Sequence, residues 1–397
     1  MSDIFIIFDT MKRILFIAHT ASCGGGSEKV LSTLIDELAD EYLIDVVEIL
    51  SDTISPFKPV SKNVRYLGSL MESDRKAASR GGNIKLNHIR HNLLALECAF
   101  FPGAVYRRLV KERYDYEISF NYLYSSSLIA HSPNPDSKKI MWMHGAIDDL
   151  NDKEADNSLK MRLYRKIQHK AFSGADAIVT ISRRTHKSVS IFQPDAESKI
   201  HDIYNGYDLD GISRLAKEKA IDRSGRFRLV SVGRLSSAKN VLLQVEAVEN
   251  LRKRGIDIEL VLLGEGELKA DIIKIAEGNP NIRPVGFQSN PYPYILSSDA
   301  LIITSLAEGF PTVAVEAMAL GKPVISTPVA GTDELIEKET GIIIGRDIDS
   351  VTEGILKAMD GPWDSEKIRN KIAPYTKQRW ASNVKNLLTT LDNEPKV

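Results

Sequence analysis

The sequence predicts an α/β protein built as two doubly wound halves, and three observations carry that prediction. Short apolar runs of strand length recur throughout the 397 residues. Each is followed by a loop and then by a stretch with apolar residues at helical spacing. The alternation pauses once, at the polar, charged stretch 217–226, and then begins again. Such alternation places parallel strands at the centre of each half with helices on both faces, and ligands are expected in a crevice outside the strands' carboxyl ends.

The length suits two domains with substantial cores. Hydrophobic content of 43% and charged content of 26% describe an ordinary globular protein. A formal charge of −1 argues against nucleic acid as a partner. Cys23 and Cys98 are the only cysteines, which provides neither a disulfide framework nor a metal-ligand set and suits a reducing cytoplasm. The longest apolar runs, such as residues 4–8, are short of a spanning helix, and no signal-peptide pattern precedes them, so a cytoplasmic location is expected, with at most surface attachment to a membrane. Met11-Lys12-Arg13-Ile14 reads as the natural start of a first strand, which leaves residues 1–10 as an upstream extension or an added edge strand.

Residues 13–19 form the first expected strand, with the loop Thr20-Ala-Ser-Cys-Gly-Gly-Gly26 after it. Ser27 is the expected cap of a helix in which Val30, Leu31, Leu34, Ile35 and Leu38 recur. A glycine turn between strand and helix lets phosphate approach backbone amides, although the G-x-G-x-x-G spacing of a dinucleotide site is absent. A tight turn without ligand is the other reading. Residues 44–50 are a second strand. In the stretch 75–113, nine Lys or Arg stand against two Glu, with Leu93, Leu94, Leu96, Phe100, Phe101 and Val105 interspersed. Such a stretch lies on anionic lipid or is a solvated helix face with a core side. Residues 116–121 and 139–144 are further strands, the second ending in Trp142-Met143-His144-Gly145, where a histidine is placed for a cleft or satisfied structurally. Residues 177–182 and 199–205 complete the first half before the Asn205-Gly206 turn.

Residues 227–233 open the second half and run into Gly233-Arg234-Leu-Ser-Ser-Ala-Lys239-Asn240. Arg234 can fork onto two phosphate oxygens, and Lys239 acts as a point charge; two plain surface cations are the alternative. Residues 258–264 and 282–286 continue the alternation. The buried strand 300–304 then leads into SLAEGFPTVAVEAMALG, residues 305–321. Glu308 sits in the loop, Pro311 in the first helical turn and Glu316 in the second, so both carboxylates face one end of the strand. The N–H groups around Gly309, Phe310, Thr312 and Val313 carry the positive end of the helix dipole, worth about 0.3–1 kcal/mol toward a bound phosphate, or about 2 kcal/mol when partly buried. A hydroxyl-rich sugar bearing phosphate fits this arrangement. Strands at 323–327 and 341–345 flank Gly331-Thr-Asp-Glu334, and helices near 351–359 and 376–391 finish the chain.

Glu308, seven intervening residues and Glu316, within EGFPTVAVEAMA and followed by GKPVIST, resemble the signature of the retaining glycosyltransferases of family 4. The resemblance covers nearly the whole chain after Met11, strongly in the second half and loosely in the first. It implies the GT-B fold, two Rossmann-like doubly wound domains facing across a cleft. The acceptor-side domain would span 1–210, with the helix at about 376–397 returning to it, and the nucleotide-sugar-binding domain 211–375.

Among side chains, the resemblance implies that Glu308 bonds donor sugar hydroxyls, Glu316 holds the ribose diol, and Arg234 and Lys239 hold the diphosphate. His144 would contact the donor sugar, and Gly25 and Gly26, with Gly24, would lie by the donor phosphates. Gly264, Val285 and Phe287 would line the base and ribose site, with Gly309, Phe310, Pro311, Thr312 and Val313 completing the donor site. Glu28 and Asn205, the latter in a YNGYD that resembles the family's Asn-Gly-x-Asp, would lie on the acceptor side. Ala330-Gly331 with Glu334 departs mildly from the family's two glycines and a glutamate.

The implied reaction moves a hexose or N-acetylhexosamine from a nucleotide diphosphate sugar, UDP-linked by preference, to a saccharide acceptor. The anomeric configuration is retained, and no cofactor or metal is used. Asp208-Leu-Asp210 and Asp347-Ile-Asp349 match the metal-binding Asp-x-Asp pattern, but a pattern so short arises by chance. The implied acceptors are bacterial surface polysaccharide or lipid-linked oligosaccharide, which makes 75–113 a candidate for peripheral membrane contact at the inner face of the cell membrane. The rival readings are a nucleotide-sugar epimerase of the same outline, which needs no acceptor, and a non-catalytic partner that binds a sugar nucleotide. A nicotinamide dehydrogenase has the wrong glycine spacing.

Overall fold

The computed structural model describes residues 11–21, 25–52, 61–151 and 158–394; the extension at 1–10, Cys23 and Gly24 lie outside them. The chain divides into two compact units, Met1–Tyr207 with Lys377–Val397, and Asp208–Thr376. The polar, charged stretch 217–226, where the alternation pauses, lies inside the second unit, where Arg223 pairs with Asp299 at 2.7 Å and Arg226 with Asp257 at 2.7 Å.

The first unit contains a parallel sheet of seven strands: β1 (Arg13–Ala18), β2 (Leu43–Ser51), β3 (Val64–Glu72), β4 (Tyr116–Ser119), β5 (Lys138–Met143), β6 (Ala177–Thr180) and β7 (Ile200–Asp202). Their order is β3-β2-β1-β4-β5-β6-β7. Helices cover both faces of the sheet, which is why central strands such as β1 read as uninterrupted apolar runs. One core layer gathers Leu15, Ile17, Met141, Met143 and Phe172. The helix Lys377–Asn393 belongs to this unit, burying Trp380, Leu388 and Leu391. The Trp380 ring meets Trp142 edge-on at 6.0 Å, and Tyr116 Oη donates to Asp392 at 2.7 Å.

β3 had no counterpart among the expected strands. It is the edge strand, its Arg65 and Tyr66 are exposed, and Gly68 at φ +117° interrupts it where the β2–β3 register shifts, so VRYLGSLME carries no apolar run. The basic stretch 75–113 folds within the helices Asp74–Ser79, Ile84–Phe100 and Pro102–Leu109 and the segment after them. Of the apolar residues interspersed in this stretch, Leu94 and Val105 form the core side, while Leu93, Leu96, Phe100 and Phe101 are exposed. Among the described residues no helix is long and apolar enough to cross a membrane.

The second unit repeats the plan with six parallel strands: β8 (Phe227–Val232), β9 (Ile258–Leu263), β10 (Ile282–Gly286), β11 (Ala300–Ile303), β12 (Val324–Ser326) and β13 (Gly341–Ile343), in the order β10-β9-β8-β11-β12-β13. Leu229, Val245, Leu260, Ile302 and Val351 pack in its core. Strand order reverses between β1 and β4 in one unit and between β8 and β11 in the other. Loops leaving such a pair diverge to opposite faces and open a crevice at the strands' carboxyl ends, the general ligand position in this architecture.

Candidate active site

At the β8–β11 switch point, two loops are tied together. Lys239 ends the single turn Ser237–Lys239, and Asn240 follows in the left-handed conformation, φ +49°, to redirect the chain into the helix Val241–Lys253. The Lys239 ammonium donates to Glu308 Oε1, and Ser305 Oγ donates to the same oxygen at 2.6 Å. The pair is partly open to water, with the Glu308 side chain 16% and that of Lys239 36% exposed. Such a pair adds little stability by itself. The loops are held by other bonds. Leu306 N–H donates to the Ala238 carbonyl at 2.9 Å, and Thr304 Oγ1 accepts from Gln244 while lying 3.1 and 2.9 Å from the Lys239 and Asn240 carbonyls. Arg346 donates to the Leu306 carbonyl at 2.9 Å. The ammonium and carboxylate are therefore positioned by the fold and remain available to a ligand.

Arg234 is exposed on the same β8 loop. No hydrogen bond or ion pair joins it to the Lys239–Glu308 pair; it lies within electrostatic reach of Glu267. The backbone N–H groups of Glu267 itself and of Ser237, with the Arg234 charge, hold that carboxylate below its usual range. Gly264, at φ +148°, lets the β9 loop cross against the β8 loop: a Cβ there would fall 1.8 Å from the Gly233 carbonyl oxygen. Across that contact Leu235 N–H donates to the Glu265 carbonyl at 2.9 Å. Val285 is the extra residue of an irregularity where the β10 register shifts between Pro284 and Gly286, and Phe287 is 51% exposed beyond it.

Glu316 is buried on the helix Thr312–Ala319 and accepts from Tyr292 Oη at 3.2 Å. Pro311 occupies the N-cap with extended backbone, one residue before the first turn where its missing N–H was expected to be tolerated. Ahead of it the N–H groups of Gly309, Thr312 and Val313 donate no hydrogen bond among the described residues. Phe310 is buried, 5.6 Å from the Tyr375 ring, and a Cβ on Gly331 would meet it at 2.4 Å. Asp208 and Asp347, the leading residues of the two Asp-x-Asp patterns, act as helix caps, accepting from Gly211 N–H at 3.2 Å and Ser350 N–H at 2.8 Å.

In the first unit, the β1 loop leads into the helix Gly26–Leu38. Gly25 is its N-cap residue, with no side-chain cap, and Ser27 lies inside the first turn, contrary to the expected Ser27 cap. The reason is local. Glu28 folds back over Gly25, so that a Cβ there would stand 2.5 Å from Glu28 Oε2, and Thr20 and Ser27 both donate to that carboxylate. His19, at the end of β1, donates its N–H to Asn121 Oδ1 at 2.8 Å, and burial lowers its imidazole pKa. Neighbouring Phe120 packs on His144 with ring centroids 4.1 Å apart. His144 Nε2 is enclosed without a partner among the described residues, and burial pushes its pKa down to about 3, so the ring is neutral. Asn205 is buried and its Oδ1 likewise has no partner.

The structure thus joins Glu308 to Lys239, places Glu316 under Tyr292, and sets Glu28 and His144 at the carboxyl end of the first sheet. His19, Asn121, Tyr292 and Ser305 were not singled out from sequence. His19, Asn121 and Ser305 stand at strand ends, a signal that could have found them; Tyr292 has none.

Residues 213–379 match the family model described as glycosyl transferases group 1. The matched stretch contains Arg234, Lys239, Glu308 and Glu316, while the first-unit candidates lie outside it. The fold is that of the GT-B glycosyltransferases. Sucrose-phosphate synthase from Thermosynechococcus elongatus superposes with a TM-score of 0.71 at 16% identity, covering 96% of this chain and 99% of that one. Anabaena HepE in complex with UDP-glucose superposes at 0.66 and 16%, covering 96% and 100%. In sequence, the Campylobacter jejuni N-acetylgalactosamine-N,N'-diacetylbacillosaminyl-diphospho-undecaprenol 4-alpha-N-acetylgalactosaminyltransferase is 31% identical over 182 residues, 45% of this chain and 48% of that protein. The Escherichia coli UDP-Gal:alpha-D-GlcNAc-diphosphoundecaprenol alpha-1,3-galactosyltransferase is 31% identical over 192 residues, 44% and 49%. The chain spans about half the length of these curated relatives.

Proposed function

We propose that this chain is a retaining family 4 glycosyltransferase that moves a hexose or N-acetylhexosamine from a UDP-linked sugar to a saccharide acceptor in bacterial surface polysaccharide or lipid-linked oligosaccharide synthesis. The observation that carries it is the Lys239–Glu308–Ser305 cluster at the β8–β11 switch point. It sets a cation for a diphosphate beside a carboxylate for sugar hydroxyls, and a helix start with undonated N–H groups follows on the same loop. The names of the two bacterial relatives, both acting on diphosphoundecaprenol-linked sugars, and the UDP-glucose bound by HepE support the substrate class.

In this reading the anomeric carbon–phosphate oxygen bond breaks while a bond to the acceptor oxygen forms on the same face, and the acceptor proton passes to the departing phosphate oxygen. Charge grows on that phosphate. Arg234, Lys239 and the Gly309, Thr312 and Val313 amides are there to offset it, in the preorganised way that contributes most to such catalysis. A diphosphate that recruits Lys239 leaves Glu308 to accept from a sugar hydroxyl. Glu316, held by Tyr292, takes the ribose diol. His144 is neutral, and Glu28 and Asn205 serve the acceptor. The cations take the part a divalent metal plays elsewhere.

The test is nucleoside diphosphate release from UDP- and GDP-sugars with and without saccharide acceptors, the product anomer being read by NMR. Release that requires acceptor, with the donor's configuration preserved, is expected. Acceptor-independent epimerisation, or binding without turnover, contradicts the proposal.

A further inference from the structure

The helix Ile84–Phe100 is apolar on two opposite sides. Leu94 and Cys98 are buried against the first unit. Leu86, Ile89, Leu93, Leu96 and Phe100 are between 48% and 60% exposed. At about 3.6 residues per turn these five fall within roughly 80° of arc, facing away from the buried pair, in a stripe about 20 Å long. Phe101, 68% exposed, extends it at the helix end. Single exposed apolar residues are ordinary, whereas a continuous row on one helix marks an interaction surface.

Charge decides what covers it. Lys85 and Arg90 flank the stripe on either side, both exposed and without a carboxylate partner among the described residues. The one acidic residue of the helix, Glu97, is paired with Arg108 at 2.8 Å. Arg107 and Lys111 stand exposed on and just beyond the next helix. A second copy of this chain packed on the same face about a two-fold axis would bring cations against cations. An anionic bilayer supplies both things the face lacks, a hydrocarbon layer for the stripe and phosphate charge for its borders.

We propose that this helix docks the protein on the surface of an anionic membrane, with Leu86, Ile89, Leu93, Leu96 and Phe100 inserted at the headgroup boundary and Lys85 and Arg90 against lipid phosphates. The attachment is interfacial and reversible. It does not depend on the transfer reaction proposed above, so binding and turnover are measured separately.

The experiment is flotation of the full chain with phosphatidylcholine vesicles, with and without phosphatidylglycerol, at low and high salt. The variants are Ile89→Ser/Leu93→Ser/Phe100→Ser and Lys85→Glu/Arg90→Glu, each checked for an unchanged melting midpoint, since every altered side chain is exposed. Partition to anionic vesicles should exceed that to neutral ones about tenfold or more. It should fall about tenfold or more in the triple variant, and fall in the charge variant and in high salt. Equal partition to neutral and anionic vesicles, or wild-type binding by a folded triple variant, overturns the proposal. So does a self-association abolished by the triple variant in place of lipid binding. A triple variant that binds nucleotide sugar but not vesicles separates docking from the donor site.

Discussion

The two switch points are built on one strand order and furnished differently. At β8–β11 the furnishing is charge: Arg234 and Lys239 on one loop, Glu308 on the other, with Leu306 and Thr304 bonding the loops together and Arg346 bracing the second from beyond β13. At β1–β4 it is aromatic and weakly basic: Phe120 packed against His144 with the rings tilted by 47°, His19 held by Asn121, and Glu28 folded over its own helix start. A diphosphate has a fixed shape and a high charge, so a site for it is rigid and ionic. A saccharide presents hydroxyls and apolar ring faces, so a site for it is made of neutral donors, acceptors and aromatic surface. The difference supports the proposed placement of the donor mainly on the second unit and of the acceptor on the first.

That assignment can be broken by removing charge from one side only. Arg234→Ala should lower turnover about 10²–10³-fold, about 2.7–4 kcal/mol, with the melting midpoint unchanged because the side chain is exposed. Steady-state kinetics beside a thermal melt reads both, and full activity would detach the phosphate role from this loop. Glu308→Gln keeps a hydrogen-bonding side chain beside Ser305 but frees Lys239 from its counter-charge. Turnover should fall roughly ten- to hundredfold through the lost charged hydrogen bond while UDP binds at least as tightly, a split read by kcat against UDP inhibition. The smallest effect belongs to Tyr292→Phe, which removes one hydrogen bond to Glu316. Donor KM should rise about three- to tenfold with kcat little changed.

How far these features could be read in advance follows from what each depends on. β9 and β11, IELVLL and ALII, are buried on both faces and announce themselves as apolar runs. β3 is an edge strand with a glycine break and does not. Glu308 was recognisable by its surroundings in the chain, but its partner Lys239 is 69 residues away, and a sequence shows where a group stands along the chain, not which group it meets. Tyr292 reaches Glu316 from a short helix with no pattern of its own. Ser27 looked like the better cap by residue type, yet Glu28 fills the space beside Gly25 and the cap passes to the glycine. In the helix Ile84–Phe100 the apolar residues suit either side, so spacing alone could not say that Leu94 turns inward while Leu93 and Leu96 turn out.

Positive charge from the second unit is proposed to hold a nucleotide's diphosphate without help from a metal ion. Calorimetric titration of UDP into the chain in EDTA, wild type beside Arg234→Ala/Lys239→Ala, measures it directly. Binding by the wild type and at least about hundredfold weaker binding by the double variant are expected, roughly one decade per charged contact. Equal affinities, or wild-type binding that appears only when magnesium is restored, would contradict it.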